Sequence, residues 1–440
     1  MQKKLLIIIL LSLGLIGLLA RVWQFGQIPV SLYWDEAAIG LDARSLLATG
    51  KDLNGQSWLQ PIFISYGDYK APVYIWLTTL LGKFLSVSEL TVRLPSLLAS
   101  LGVAWLLFKW LGPFVAISFL IMPWSIHFSR IGFESHLSLF WLVLAVYLVI
   151  SKKLIFASLA VILGIYTYVS LRFLAPSLFI ITFLLYSRTK ITQFILGSAL
   201  IGISLIIMVK SPDYAASQQY RLSNNNLITS AERKPAKLKQ FVTNYSAYFS
   251  PQFLLLSGDP NLRHHSGFGG ELLLIQGLLF LAGLVALLNY RRKETWLVLS
   301  WLFLSPIVAA LVNETPHASR AIYMMIPLAW LIGLGWSRLK RFWALIIGLF
   351  LIVNLSVYLH DYFIHYPARS ALAWINPYKQ SALRFKAAPP TQPVYISDKL
   401  YQPELYFAFY LNDLSLFRSN QRFYYYLPSV CPQEAICLNY

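Results

Sequence analysis

Apolar stretches and short polar gaps alternate along nearly the whole chain. Apolar windows fall at roughly 5–22, 93–109, 112–127, 136–151, 154–171, 172–187, 191–209, 271–289, 294–312, 319–336 and 342–359. Each is near the ~17–25 residues that a membrane-spanning helix requires. One more window, PVYIWLTTLLGKFL at 72–85, is shorter, opens on Pro72 and carries Lys83. The pattern predicts an all-α polytopic membrane protein of about eleven spans, with 72–85 lying flat as an interfacial helix. Charge decides that assignment. With 72–85 at the outer surface, Lys3 and Lys4, Lys109, Lys152 and Lys153, Arg188 and Lys190, Arg291 to Lys293, and Arg338 to Arg341 all fall inside. That satisfies the positive-inside bias. If 72–85 spans, every cluster after the first moves outside. The first window follows MQKK and resembles a signal peptide, but Arg21, Val22 and Trp23 offer no small-residue cleavage site. An uncleaved helix with its N-terminus inside is expected.

The same topology exposes three outer segments, 23–92, 128–135 and 210–270, and an outer tail, 360–440. Residues 1–359 read as one transmembrane domain. In the tail, VYIS at 394–397 reads as a strand and PELYFAFYL at 403–411 as strand or helix, so a small extracytoplasmic α/β domain is expected. No internal repeat or low-complexity tract is evident.

Composition narrows the class. The chain is 57% hydrophobic and 12% charged, where a soluble domain carries about 25% charged residues. The net charge of +18 is scattered among apolar spans, so it belongs to inner loops and lipid phosphates rather than to nucleic acid. Only two cysteines occur, Cys431 and Cys437. Their spacing matches no metal motif. In an oxidising compartment they close a small disulfide; otherwise they are two thiols.

Ionisable residues cluster on the outer side. Asp35 and Glu36 lie in SLYWDEAAIG; Tyr66, Asp68 and Lys70 lie in ISYGDYKAPVYIWL. Arg130, Glu134 and His136 lie in HFSRIGFESH; His317 and Arg320 lie in NETPHASR. Charge at such depth is costly and usually functional. Each residue also has a plainer reading: a helix cap for Asp35, a snorkelling side chain for Lys70, a cap or an Arg130 ion pair for Glu134, an outer anchor for Arg320. Their convergence on one face favours chemistry. A sugar linked through its anomeric carbon to a lipid phosphate needs no general acid, because phosphate is already a good leaving group. Cations such as Lys70 and Arg320 would bind that phosphate, and a carboxylate such as Asp35 would take the acceptor proton. A further stretch, SGDPNLRHHSGFGGELL, offers Gly258, Asp259, Arg263, His264 and His265 as a lid, a phosphate contact or a substrate-recognition turn. A metal site on the adjacent His264 and His265 is disfavoured, because neighbours in sequence point differently.

At these residues the chain resembles the C-type membrane glycosyltransferases, most of all the bacterial protein O-mannosyltransferases and aminoarabinose transferases. YWDEA resembles their acidic motif after the first helix. YKAPVYIWL resembles their K-P-P-L-Y-Y-W-L segment, with Ala71 at the first Pro position, and VRLPSLLAS their R-L-P-S segment. FSRIGFESH resembles their second acidic site, with Glu134 where Asp is more usual. The resemblance covers about 1–210 well and 271–360 more loosely. It implies Asp35 as catalytic base with Glu36 as its partner, and Glu134 as a second acid near the acceptor or a divalent ion. It implies Lys70 on the donor phosphate; His317 and Arg320 join it less securely. Tyr66, Asp68, Arg130, Asp259, Arg263 and His264 are the remaining expected substrate contacts. No cofactor is required on this reading, and a divalent metal is left open. The expected partners are a polyprenyl-phosphate sugar, a glycolipid, polysaccharide or protein acceptor, and the bilayer of the plasma (inner) membrane, with the C-terminus extracytoplasmic. The rival is a transporter or flippase of lipid-linked sugars, which would place ionisable groups near the midplane and show inverted repeats.

Overall fold

The computed structural model describes residues 2–223, 227, 234–417, 423–426, 431, 432 and 434–440. The chain opens with α1 (Gln2–Val22), followed by α2 (Trp34–Thr49), the hairpin β1 (Phe63–Ser65) and β2 (Asp68–Lys70), and α3 (Pro72–Leu85). Next come α4 (Glu89–Leu111), α5 (Pro113–Leu120), α6 (Pro123–Phe128), α7 (Glu134–Ile150), α8 (Leu154–Ile165), α9 (Leu171–Tyr186) and α10 (Ile191–Val209). Polar helices α11 (Pro212–Ser223) and α12 (Lys234–Ala247) precede α13 (Leu274–Leu287), α14 (Arg292–Leu304), the short α15 (Ile307–Ala310), α16 (Met325–Arg338) and α17 (Arg341–His360). The chain ends with α18 (Tyr366–Arg369), α19 (Asn376–Ala387), β3 (Val394–Ile396), α20 (Pro403–Leu411), β4 (Phe423–Tyr424) and β5 (Ile436–Leu438).

Four helical runs among the described residues are long and apolar enough to cross a membrane: Gln2–Val22, Glu89–Leu111, Arg188–Val209 and Arg341–Arg369. They coincide with four of the expected windows. Other windows form shorter or broken helices, and proline accounts for two of the breaks. The stretch 112–127 divides into α5 and α6 ahead of Pro123, and 294–312 divides into α14 and α15 at Pro306. Proline removes one backbone donor and clashes with the preceding turn. The helix begun in window 154–171 stops at Ile165, and the non-helical residues 167–170 line cavities described below. Irregular backbone at such a place is tolerated where it lines a polar cavity. The division expected at 359/360 falls inside the run Arg341–Arg369.

Helix α3 has 14 residues and rises about 21 Å, short of a hydrocarbon core of roughly 30 Å. Val73, Tyr74, Ile75 and Thr78 in its first half are buried, while Leu80, Phe84 and Leu85 toward its end are exposed.

The tail forms a three-stranded parallel sheet in the order β4-β3-β5, with α19 and α20 against it. VYIS is thus a strand and PELYFAFYL a helix. Cys431 and Cys437 are joined in a disulfide. The tail does not keep a core to itself. Tyr378, Val394, Ile396, Phe407 and Phe409 pack in one apolar cluster with Leu32, Ala37, Leu41, Tyr74 and Val92 of the first outer segment. Polar contacts reinforce the joint. Lys379 Nζ donates to Glu89 Oε2 (2.8 Å) and to the Val30 carbonyl (2.7 Å), and Tyr410 donates to the Glu89 carboxylate. This seat fixes the tail over the N-terminus of α2.

Candidate active site

The first functional element is the N-terminus of α2. Neighbouring side chains on a helix diverge by about 100°, and here that separation sends Asp35 and Glu36 to different environments. Glu36 is fully buried and its carboxylate is saturated. It receives Tyr33 N (3.1 Å), Gly132 N (2.6 Å) and Arg93 Nε (3.0 Å). Arg93, also fully buried, spends its remaining donors on Pro29 O (2.9 Å) and Ser31 O (2.5 Å). Glu36 is therefore the clamp that joins α2, α4 and the 132 turn, and it does not reach the cavity as the expected partner of the base. Asp35 points the other way, with its side chain 26% exposed.

The second element is the hairpin. Its two-residue turn, Tyr66–Gly67, has positive φ at both positions (47° and 81°) and pairs Ser65 with Asp68. This is the primed turn that a tight hairpin favours. It folds Asp68 and Lys70 back onto α2. Lys70, itself 3% exposed, forms ion pairs with Asp35 and with Asp68 (3.0 Å). Burial alone would lower the Lys70 ammonium, but Asp35, Asp68 and Glu134 hold it well above its ordinary value. Two helical turns along α2, Asp42 makes a second latch, accepting Ser65 Oγ at 2.5 Å. Burial pushes the Asp42 carboxyl up to about 7, against the opposing hydrogen bonds from Ser65 and the Leu53 backbone.

Asp35 and Asp68 line two adjoining cavities, of about 640 and 480 Å³. Both cavities share Trp34, Tyr168, Val169, Arg221 and Arg320 as walls. The larger adds Glu134, Arg172, Asp259, Arg263, His264 and His317. The smaller adds Tyr66, Tyr401 and the apolar Val308, Leu311 and Val312. Most of the sequence-selected residues thus meet around one space. Arg130 does not. Its guanidinium donates to Ala20 O (2.7 Å), Gln24 O (3.1 Å) and Ile28 O (3.1 Å). It satisfies carbonyls at the end of α1 and just beyond, which corrects the expectation of a substrate contact. His136 is also fully buried and lines neither cavity.

Two cations escaped the sequence reading. Arg172 opens α9 beside the unwound 166–170 segment, and Arg221 lies on α11, donating to Tyr69 O at 2.5 Å. Arg172 Nε and Nη1 and Arg320 Nη1 find no hydrogen-bond partner among the described residues. These donors stand in a wall that also carries the carboxylates of Asp35, Asp68, Glu134, Asp259 and Glu314, and guanidinium donors of this kind can take an anion.

The loop from Gly258 to Glu271 supplies the opposite wall. Gly258 has φ of 65°, and a Cβ there would meet the His265 ring. Asp259 accepts Asn261 N (2.8 Å), His264 Nδ1 (3.1 Å) and Ala318 N (2.7 Å). Burial would raise its carboxyl, but these hydrogen bonds, that from His264 foremost, hold it below the ordinary range. Burial keeps His317 neutral, with its imidazole well below the usual value, and its ring lies 4.2 Å from that of His264. His265 turns away; it bonds Gly267 N and Gly270 O, and burial pushes it down to about 4. Arg263 stacks over the Trp34 ring at 4.1 Å.

No family model matches the chain. No curated protein matches it either. Solved structures do. The aminoarabinose transferase ArnT from Cupriavidus metallidurans in its apo state gives a TM-score of 0.56 at 12% identity, over 92% of this chain and 84% of that one. The same protein bound to undecaprenyl phosphate gives 0.55 at 13% identity, over 95% and 89%. The oligosaccharyltransferase AglB from Archaeoglobus fulgidus, in complex with an inhibitory peptide and a dolichol-phosphate, gives 0.50 at 14% identity, over 93% and 64%. The chain has the fold of the C-type membrane glycosyltransferases.

Proposed function

We propose that this protein is a glycosyltransferase that moves a sugar from a polyprenyl-phosphate donor to a hydroxyl acceptor at the outer face of the membrane, with inversion and with Asp35 as general base. One observation carries the reading: Asp35 stands on the wall common to two cavities whose lining includes Arg172 and Arg320, and Arg172 Nε and Nη1 and Arg320 Nη1 have no hydrogen-bond partner among the described residues. The fold it shares with a transferase solved with undecaprenyl phosphate supports the lipid-linked donor. Extrusion of the tail to an oxidising compartment is supported by the Cys431–Cys437 disulfide.

The donor phosphate sits against Arg221, Arg320 and Arg172, with its prenyl chain along Val308, Leu311 and Val312. Lys70 then exchanges Asp35 for the phosphate. That exchange frees the Asp35 carboxylate only when donor is bound. The acceptor hydroxyl enters from the larger cavity and loses its proton to Asp35. Its oxygen bonds to the anomeric carbon from the face opposite the phosphate. The bond from that carbon to the phosphate oxygen breaks, and the electron pair leaves with the polyprenyl phosphate. Lys70 and the guanidinium groups offset the charge that develops there. Glu134 and Arg263 lie on the acceptor side.

The test is transfer of radiolabelled sugar from polyprenyl phosphate in membranes carrying Asp35→Asn. Transfer is lost while binding of polyprenyl phosphate persists. A retained rate would falsify the base assignment.

A further inference from the structure

We propose that Asp259, His264 and His317 bind one divalent transition-metal ion of the zinc class, which staples the loop after Gly258 to the segment before α16. The proposal does not depend on the transferase reading. Its basis is convergence: one ligand-capable atom from each of the three side chains lies within 4.8 Å of the others, although His317 is far from the other two along the chain. Two imidazole nitrogens and one carboxylate oxygen suit zinc, cobalt or iron. They do not suit magnesium or calcium, which take oxygen.

The surroundings favour an ion here. Asp259 is held by the backbone N–H groups of Asn261 and Ala318, one from each segment. Such outer partners orient metal ligands. Of the two nearby guanidinium groups, which would oppose a dication, Arg263 lies over the Trp34 ring and Arg320 has one nitrogen against Glu314 at 3.5 Å. The His264–Asp259 hydrogen bond, 3.1 Å long, occupies the space between two of the ligands. Metal uptake replaces its proton. All three ligands line the larger cavity, so the ion keeps a coordination position open toward it.

The staple would fix the cavity wall that carries Arg263 and Arg320, without taking part in proton removal at Asp35. The experiment uses the full chain in detergent, stripped with chelator and titrated with Co2+. Expected is one equivalent of Co2+ with visible d–d absorption, displaced by Zn2+. In His317→Ala binding weakens by more than the roughly 10–100-fold that loss of an outer partner costs, whereas the exposed His360→Ala binds normally. If His317→Ala does not fold, Asp259→Asn replaces it. Absence of binding in the wild type, or a spectrum unchanged in the ligand variants, overturns the proposal. Because binding is read without turnover, that failure leaves the Asp35 assignment untouched.

Discussion

The two adjacent acids should give opposite phenotypes when neutralised. Glu36 and Arg93 have fully buried side chains in contact at 3.0 Å. Glu36→Gln keeps the shape and removes the charge. It leaves a guanidinium without its counter-ion in a dry site, and it turns an NH2 group toward at least one of the donors now held by Tyr33 N and Gly132 N. Removing one partner of a buried pair costs about 3–5 kcal/mol, which at about 1.4 kcal/mol per tenfold lowers the folding constant by two to nearly four orders of magnitude. Asp35→Asn differs in kind. Asp35 is 26% exposed, and Lys70 retains Asp68 at 3.0 Å, so the loss of stability stays below that of Glu36→Gln. Thermal unfolding in detergent, with gel filtration to count folded protein, reads the first variant. Sugar transfer reads the second. A double-mutant cycle with Arg93→Met should show strong coupling, but incomplete rescue, because the carbonyls of Pro29 and Ser31 would lose their donor. A Glu36→Gln protein as stable as wild type but inactive would refute this reasoning and restore Glu36 to the chemistry.

Three further outcomes follow from the geometry. Arg172→Ala and Arg221→Ala each raise the donor KM by about 10–100-fold, the loss of a charge-assisted hydrogen bond worth roughly 1.5–3 kcal/mol; Arg130→Ala instead lowers folded yield, and equal KM effects at all three would undo the distinction. Asp42 has its carboxyl raised by burial from 3.8 to about 7, so its contribution is fully present below pH 3.8 and is lost as pH climbs toward about 7, by at most about 4 kcal/mol. Asp42→Asn should therefore flatten the fall in melting temperature between pH 5 and pH 8, and an unchanged slope would exclude Asp42 as its source. Finally, both native cysteines are paired, so a thiol introduced by Ser86→Cys at the exposed end of α3 reports orientation alone. It should react with an impermeant maleimide from outside intact cells, and labelling only after lysis would mean that α3 crosses the membrane.

What the chain disclosed before folding, and what it hid, follows from the range of each signal. Apolar windows and positive clusters are local, and the helical membrane architecture was legible in them. The acidic pair was legible as a pair, but not its division of labour. That division depends on the helical register of α2, set at Tyr33, and on Arg93, which lies far along the chain in the VRLPSLLAS stretch. Arg130 was misjudged for a related reason: an arginine at an outer junction offers the same letter whether it meets a ligand or a run of carbonyls. Arg172 was the avoidable omission. It opens the window 172–187, at a junction with 154–171 that the charge-derived topology already placed outside. A basic residue there runs against the positive-inside bias, and that conflict is itself a reason to expect an anion. Arg221 carried no such mark within the polar 210–270 stretch; only the fold of α11 over the hairpin brings it to Tyr69. The proposed anion site is thus written partly in a local charge anomaly and partly in contacts that exist only once distant segments have packed.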